Sequence, residues 1–234
     1  MIFYLILIIV FTIFAGGLLN RLLSKRPQLK IAISIVFVCA IIFLGYLLVE
    51  SIMNPIRFEK EKEKRYNATI TRLIDIRTAQ NAYAEKNKKY APAFDKLTEF
   101  VKTDSFEIKK PINKGWDQDE YTEQEALRLG LLVYEYTKVS VKDSLFSDDY
   151  PIDSMRYVSY TNEVEFEMGA KELVTTSKVK VQVFEAKVHN NILLSGLDRQ
   201  LVINLNDEKR KLEQYPGLKV GSLEEATGNA GNWE

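Results

Sequence analysis

Two long apolar runs, Ile2–Leu19 and Ile31–Val49, open the chain, joined by a short polar link, Asn20–Lys30. The first holds 18 residues without a charge, and Thr12 is its one clearly polar side chain. As a helix rising about 1.5 Å per residue it would cover about 27 Å, close to the hydrocarbon thickness of a bilayer. No basic residue precedes this run and no small-x-small site follows it, so an uncleaved span is expected rather than a signal peptide. So short a link predicts an antiparallel transmembrane hairpin over residues 1–53. Counting outward from the link, Gly17 falls level with Ser34 and Gly16 with Ile35. Small side chains at Gly16, Gly17 and Ser34 would let the two helices approach closely in lipid.

Beyond the second run the pattern becomes charged and then amphipathic. Asn54-Pro55 predicts a kink with an immediate restart, because proline disfavours a helix interior but suits a first turn. Residues 54–65 read as a solvated helical stalk, with Glu61 and Arg65 paired at i, i+4 in the favourable order. Tyr66, Ile70, Leu73, Ile74, Ile76, Ala79, Ala82 and Tyr83 then recur at spacings of three and four. That spacing predicts a helix whose apolar face, with Ile70, Leu73, Ile76 and Tyr83 at its centre, packs on a sheet. Asn87-Lys88-Lys89 should end it, and Pro92 should open a second short helix carrying Phe94, Leu97, Phe100 and Val101.

The remainder changes period. Glu107–Lys110 reads as a short strand, and Pro111–Asp119 as a polar turn. Thr122-Glu123-Gln124-Glu125 has capping-box spacing and Gly130 is a natural stop, predicting a helix over Glu123–Leu129. Alternation follows at Leu132, Tyr134 and Tyr136, at Val139 and Val141, and at Met155, Tyr157 and Ser159. It continues at Val164, Phe166 and Met168, at Val179, Val181 and Val183, and at Leu201, Ile203 and Leu205. Five or six strands after a long helix predict an α+β domain over residues 66–234, the helix lying on a mostly antiparallel sheet. Near the end, Ser222-Leu223-Glu224-Glu225 predicts a capped helical turn, and Trp233 is either docked in a groove or held out as a partner contact.

Charge narrows the function classes. Lys and Arg total 32 against 32 Asp and Glu, so no basic face for nucleic acid is expected. The one cysteine, Cys39, lies within the second apolar run as a filler, and the one histidine, His189, excludes a His-rich metal site. Asp143, Asp148, Asp149 and Asp153 lack the ordered spacing of a calcium loop and read as a solvated loop. Glu163, Glu165 and Glu167 could serve acid–base chemistry, but period two places them together on a wet sheet face. Asn67-Ala68-Thr69 fits a glycosylation pattern that chance also produces. No cofactor, catalytic group or metal site is expected. Arg21, Lys25, Arg26 and Lys30 put the link in the cytoplasm by the positive-inside tendency, and hence the large domain outside it; Arg57, Lys60, Lys62, Lys64 and Arg65 pull the other way.

Two resemblances bear on this. The apolar span running into a helix, with Asp75-Ile76-Arg77-Thr78-Ala79-Gln80, Ala82-Tyr83, Asn87-Lys88-Lys89-Tyr90-Ala91-Pro92 and Leu97, resembles the first helix and loop of pilin-like and pseudopilin proteins. The chain departs from that pattern in its extra preceding span, in lacking the prepilin cleavage motif, and in Lys88 where glycine stands. Glu50-Ser51-Ile52-Met53-Asn54-Pro55-Ile56-Arg57-Phe58, Asp75–Gln80, and the close from Tyr215-Pro216-Gly217-Leu218-Lys219-Val220-Gly221-Ser222 to Asn232-Trp233-Glu234 are similar to a family of uncharacterised membrane-anchored envelope proteins of Bacteroidota. That likeness implies an exported domain on a membrane anchor and no known activity. The expectation is a non-enzymatic protein of a bacterial inner membrane with a periplasmic domain. It would bind other proteins or itself, within a pilin-like or secretion-related assembly. The alternatives are a membrane-tethered enzyme or small-ligand sensor and a cytoplasm-facing adaptor.

Overall fold

The structure, a computed structural model, describes residues 16–17, 27–175 and 178–234. Helix α1 runs Pro27–Asn87. It starts earlier than expected: positions 27–30, assigned to the link and including Lys30, are already helical. Proline suits a first helical position because the N–H it lacks would have no intrahelical partner there. The expected first span, Ile2–Leu19, and the basic residues Arg21, Lys25 and Arg26 lie outside the described residues, except that Gly16 and Gly17 are helical and exposed. A Cβ on either glycine would meet nothing within 4 Å, and Ser34 is exposed. The hairpin packing of Gly16, Gly17 and Ser34 is therefore not formed among the described residues. Among those residues one helix, not two, is long and apolar enough to cross a membrane, and none of its apolar window is buried.

The break expected at Asn54-Pro55 does not occur, since Pro55 lies inside α1. An interior proline costs a helix about 3 kcal/mol, so its neighbours must carry the turn. Arg57 pairs with Glu50 at 2.9 Å across the proline, and the strong helix formers of Arg57–Arg65 follow. Lys62 pairs with Glu59 at 2.5 Å and Arg65 with Glu61 at 3.3 Å.

The chain divides into two compact units, Met1–Arg57 and Phe58–Glu234. The second is α+β. After α1 come α2 (Phe94–Thr103), β1 (Ser105–Asn113), α3 (Glu123–Arg128), β2 (Leu132–Ser140) and α4 (Val141–Leu145). A 3-10 turn (Ile152–Arg156) leads to β3 (Glu167–Val174), β4 (Lys180–His189), α5 (Asn190–Leu193), α6 (Arg199–Lys211) and β5 (Gly217–Gly221). The strands form two antiparallel sheets, β1-β2 and β3-β4-β5, rather than one. Thr122 caps α3 with the full reciprocal box to Glu125, as its spacing predicts.

One core joins the two kinds of element. Leu73, Ile76 and Ala79 of α1, Leu97 and Val101 of α2, Phe184 and Ala186 of β4, and Val220 of β5 are fully buried in a single cluster. Ile70 and Tyr83 flank it half-buried, and the Tyr83 ring meets Phe100 edge-on at 5.1 Å. Ile74, placed on the apolar face by sequence, is exposed. Its stripe is completed instead by two polar residues, Thr69 and Gln80, both fully buried. Gln80 fits there because its amide exchanges two hydrogen bonds with Ala91: Nε2 donates to the Ala91 carbonyl and Oε1 accepts from the Ala91 N–H, each at 2.9 Å. This clamps the loop after α1 back onto the helix.

Several expected strands took other forms. Leu201, Ile203 and Leu205 lie on helix α6, whose N-terminus is capped by the Asp198 carboxylate accepting from Gln200 and Leu201 N–H. Alternation over five residues also contains i, i+4 pairs, and here Leu201 with Leu205 and Val202 with Asn206 form the inward face. Met155 falls in the 3-10 turn, and Tyr157 makes only an isolated bridge to Glu165. Val141 starts α4 instead of continuing the strand, Pro111 belongs to β1 instead of a turn, and α2 begins at Phe94, two residues past Pro92. Ser222 Oγ accepts from the Glu224 and Glu225 N–H groups, yet no helix follows. Strand β5 carried no sequence expectation.

Lys88, where the pilin-like pattern has glycine, sits just past α1 at φ 59. A side chain in this left-handed region costs about 1–2 kcal/mol. Lys88→Gly should therefore raise stability by about 1 kcal/mol, whereas Leu73→Ala should lower it by about 2–5 kcal/mol. Denaturation of the detergent-solubilised full chain, followed by circular dichroism, checks both.

Candidate functional site

An open groove of about 590 Å³ runs between the last turns of α1 and the β1–α4 side of the domain. Thr78, Asn81 and Glu85 line it from α1, Phe106 and Ile108 from β1, and Ser144 and Leu145 from α4. It continues past Glu85 and Phe106 toward Lys86, Asp104 and Lys138. Its hydroxyls are already engaged: Thr78 donates to the Ile74 carbonyl and Ser144 to the Ser140 carbonyl, each at 2.9 Å. Lys86 pairs with Asp104, and Lys138 lies 4.0 Å from Glu107. The groove is open and lined by both polar and apolar side chains.

The carboxylates that could have done acid–base work are not gathered. Glu163 sits in a turn at φ 54, Glu165 pairs with Arg156 at 3.2 Å, and Glu167 begins β3. All three are exposed, and the deep pocket an enzyme would need around them is not formed among the described residues. Asp153 pairs with Lys102 at 2.6 Å, and no group of His, Cys, Asp and Glu among the described residues is placed to hold a metal ion. His189 accepts the Asn191 N–H on Nδ1 at 3.1 Å and meets the Tyr215 ring edge-on. Burial first, then the Arg210 charge, holds its imidazole below the usual range.

Polar groups tie α1 to the rest of the domain, and most of them leave no periodic signal along the chain. The Tyr66 hydroxyl donates to Asn190 Oδ1 at 2.6 Å, Asn190 donates to Asn206 at 2.9 Å, and Asn206 to Asn191 at 2.8 Å. Burial pushes the Tyr66 phenol up to about 12, although the Asn190 bond acts the other way. Arg65 donates to the Leu193 and Ser195 carbonyls at 3.1 and 2.9 Å. Arg77 holds the C-terminal segment through Glu234 at 2.6 Å. Trp233 is half-buried against the core, its ring so close over Gly231 that a Cβ there would come within 2.4 Å. Of the two arrangements open to it, docking on its own chain is the one seen.

Strand edges differ in what covers them. The β5 edge is closed by the C-terminal segment, through the Val220–Gly231 bridge and the Asn232 N–H donating to Lys219. The β1-β2 ribbon stands apart from the main core: Leu132 and Ala126 are buried outside that cluster, while Ile108 and Tyr136 are 49% and 64% exposed. No known family, curated protein or solved structure matches this chain.

Asp75 supplies a pH test of the α1 contacts. The Tyr150 hydroxyl donates to its carboxylate at 2.7 Å, and Arg72 bonds the Ser154 hydroxyl beside it at 2.8 Å. Burial raises the Asp75 carboxyl, outweighing the opposing Tyr150 bond and Arg72 charge; burial, then the hydrogen bond to Asp75 and its charge, raise the Tyr150 phenol. A carboxyl whose folded pKa is raised gives stability that is full below its unfolded value, about 3.9, and is lost as pH climbs through the folded value. Asp75→Asn should flatten the fall in stability across that window, measured by denaturation of the full chain in a pH series. An unchanged slope would contradict it.

Proposed function

We propose that this protein is a non-catalytic, membrane-anchored component of a bacterial envelope whose α+β domain works by binding protein. One observation carries the reading. The apolar part of α1 is wholly unburied, whereas its C-terminal part, from Phe58, belongs to the core of a folded domain. A bare apolar face of that length in water would drive aggregation, and lipid is the solvent that removes the cost. The open groove and unpaired strand edges are surfaces suited to contact rather than to sequestered chemistry.

The anchor is assigned to the inner membrane with the domain on the periplasmic side. Arg21, Lys25, Arg26 and Lys30, gathered ahead of the second apolar run, favour that orientation. The likeness to envelope proteins of Bacteroidota and the pilin-like start of the domain suit an exported interaction module within a pilin-like or secretion-related assembly.

The full chain should stay in the membrane pellet through alkaline carbonate extraction, and alkaline phosphatase fused at the C-terminus should be active. Release into the supernatant would overturn the anchor, and an inactive fusion paired with a fluorescent cytoplasmic one would reverse the orientation.

A further inference from the structure

The two outer edges of the β1-β2 ribbon differ. β1 carries Pro111 and the neighbouring Lys109 and Lys110, and a proline and lysines are the usual means of blunting an edge. β2 has neither proline nor glycine, one acid (Glu135) and one base (Lys138). Val133, Tyr134, Tyr136, Thr137 and Val139 are strand formers. Among the described residues no strand pairs with its second edge, and positions 135–138 are exposed. A two-stranded ribbon is marginal by itself, so this edge is the natural place for further pairing.

We propose that a second copy of this chain pairs antiparallel with β2, forming a four-stranded sheet about a twofold axis at Tyr136. A twofold axis perpendicular to a sheet keeps every side chain on its own face. A residue can then oppose only residues an even number of positions away, and the register is set by which residue opposes itself. Centring on Glu135 would set two carboxylates face to face, and centring on Lys138 two ammonium groups; like charges directly opposite are destabilising. Centring on Thr137 leaves the exposed Val133 without a strand partner. Leu132 is buried, and Tyr136 is the midpoint of residues 133–139, the part of the strand left open, so centring there pairs all of that part.

The charges also fit in that register. Val133 opposes Val139, Glu135 opposes Thr137, and Lys138 opposes Tyr134. The Tyr134 ring already takes the Lys109 ammonium at 3.5 Å, and its hydroxyl donates to Glu123. The incoming Lys138 thus meets a ring whose β1 side already carries the Lys109 ammonium, and the Glu123 carboxylate at the Tyr134 hydroxyl offsets the added charge. This inference rests on the reading of the domain as a protein-binding module and names its partner.

The test uses the full chain in native membranes with Cys39→Ala as background. Residues opposite each other in an antiparallel pair stand about 4.5–5.5 Å apart at Cα, within disulfide reach. Tyr136→Cys should give a disulfide-linked dimer on mild oxidation, and the exposed off-edge control Tyr160→Cys should not. Tyr136→Lys, which sets two ammonium groups at the axis, should shift the detergent-solubilised protein from dimer to monomer by light scattering. Absence of the Tyr136→Cys dimer, equal cross-linking of the control, or a monomeric parent chain would overturn the proposal. Cross-linking of Tyr136→Cys only to a different protein would overturn it too, yet would leave the protein-binding reading standing.

Discussion

Burial of one stripe of α1 in the core it shares with β4 and β5 is the interaction on which the domain depends. Leu73, Ile76 and Ala79 have no exposed surface, nor have Phe184, Ala186 and Val220. Each large apolar side chain so buried contributes about 1.5–3 kcal/mol relative to exposure, so a few of them rival the net stability of a domain. The polar ties acquire their effect from this contact. With the helix seated, Gln80 reaches Ala91, Tyr66 reaches Asn190, Arg65 reaches the carbonyls after α5, and Arg77 reaches the C-terminal segment. Two of these ties satisfy fully buried polar side chains, Gln80 and Asn190, that burial would otherwise strand. Thr69 is the exception: its hydroxyl is buried with no partner among the described residues.

That geometry explains where contact with other molecules is open. The buried residues of β4 are spent in the common core, and the β5 edge is spent on the C-terminal segment. The β1-β2 ribbon is attached chiefly through the α2 and α4 ends and keeps most of its surface in water. The groove beside Glu85 lies where α1 leaves the core and the ribbon begins. Of the charges near it, Lys86 pairs with Asp104 and Lys138 lies beside Glu107.

Much of this was legible because burial leaves a period. The spacing of Leu73, Ile76, Ala79 and Tyr83 announced the core face of α1, and Thr122 with Glu125 announced α3. Leu201, Ile203 and Leu205 misled because a short alternation holds i, i+4 pairs as well; the N-cap Asp198 and the basic close Lys209-Arg210-Lys211 were the helical signals to weigh against it. Gln80 and Asn190 could not be read as buried, since the partners that make their burial tolerable lie 11 or more residues away in sequence. Strand β5 was hidden by its glycines. Gly217 and Gly221 come so close to β4 backbone that a Cβ would meet a carbonyl at 2.1 and 2.2 Å, so the residues that permit the pairing are those that look least like a strand.

Hydrogen exchange of the full chain in lipid nanodiscs probes both halves of α1 at once. Lipid should protect the amides of residues 33–49, and core packing should make those of 69–82 among the slowest in the chain. Rapid exchange in the first segment would contradict the anchor, and rapid exchange in the second, with β4 still protected, would contradict the core built on α1.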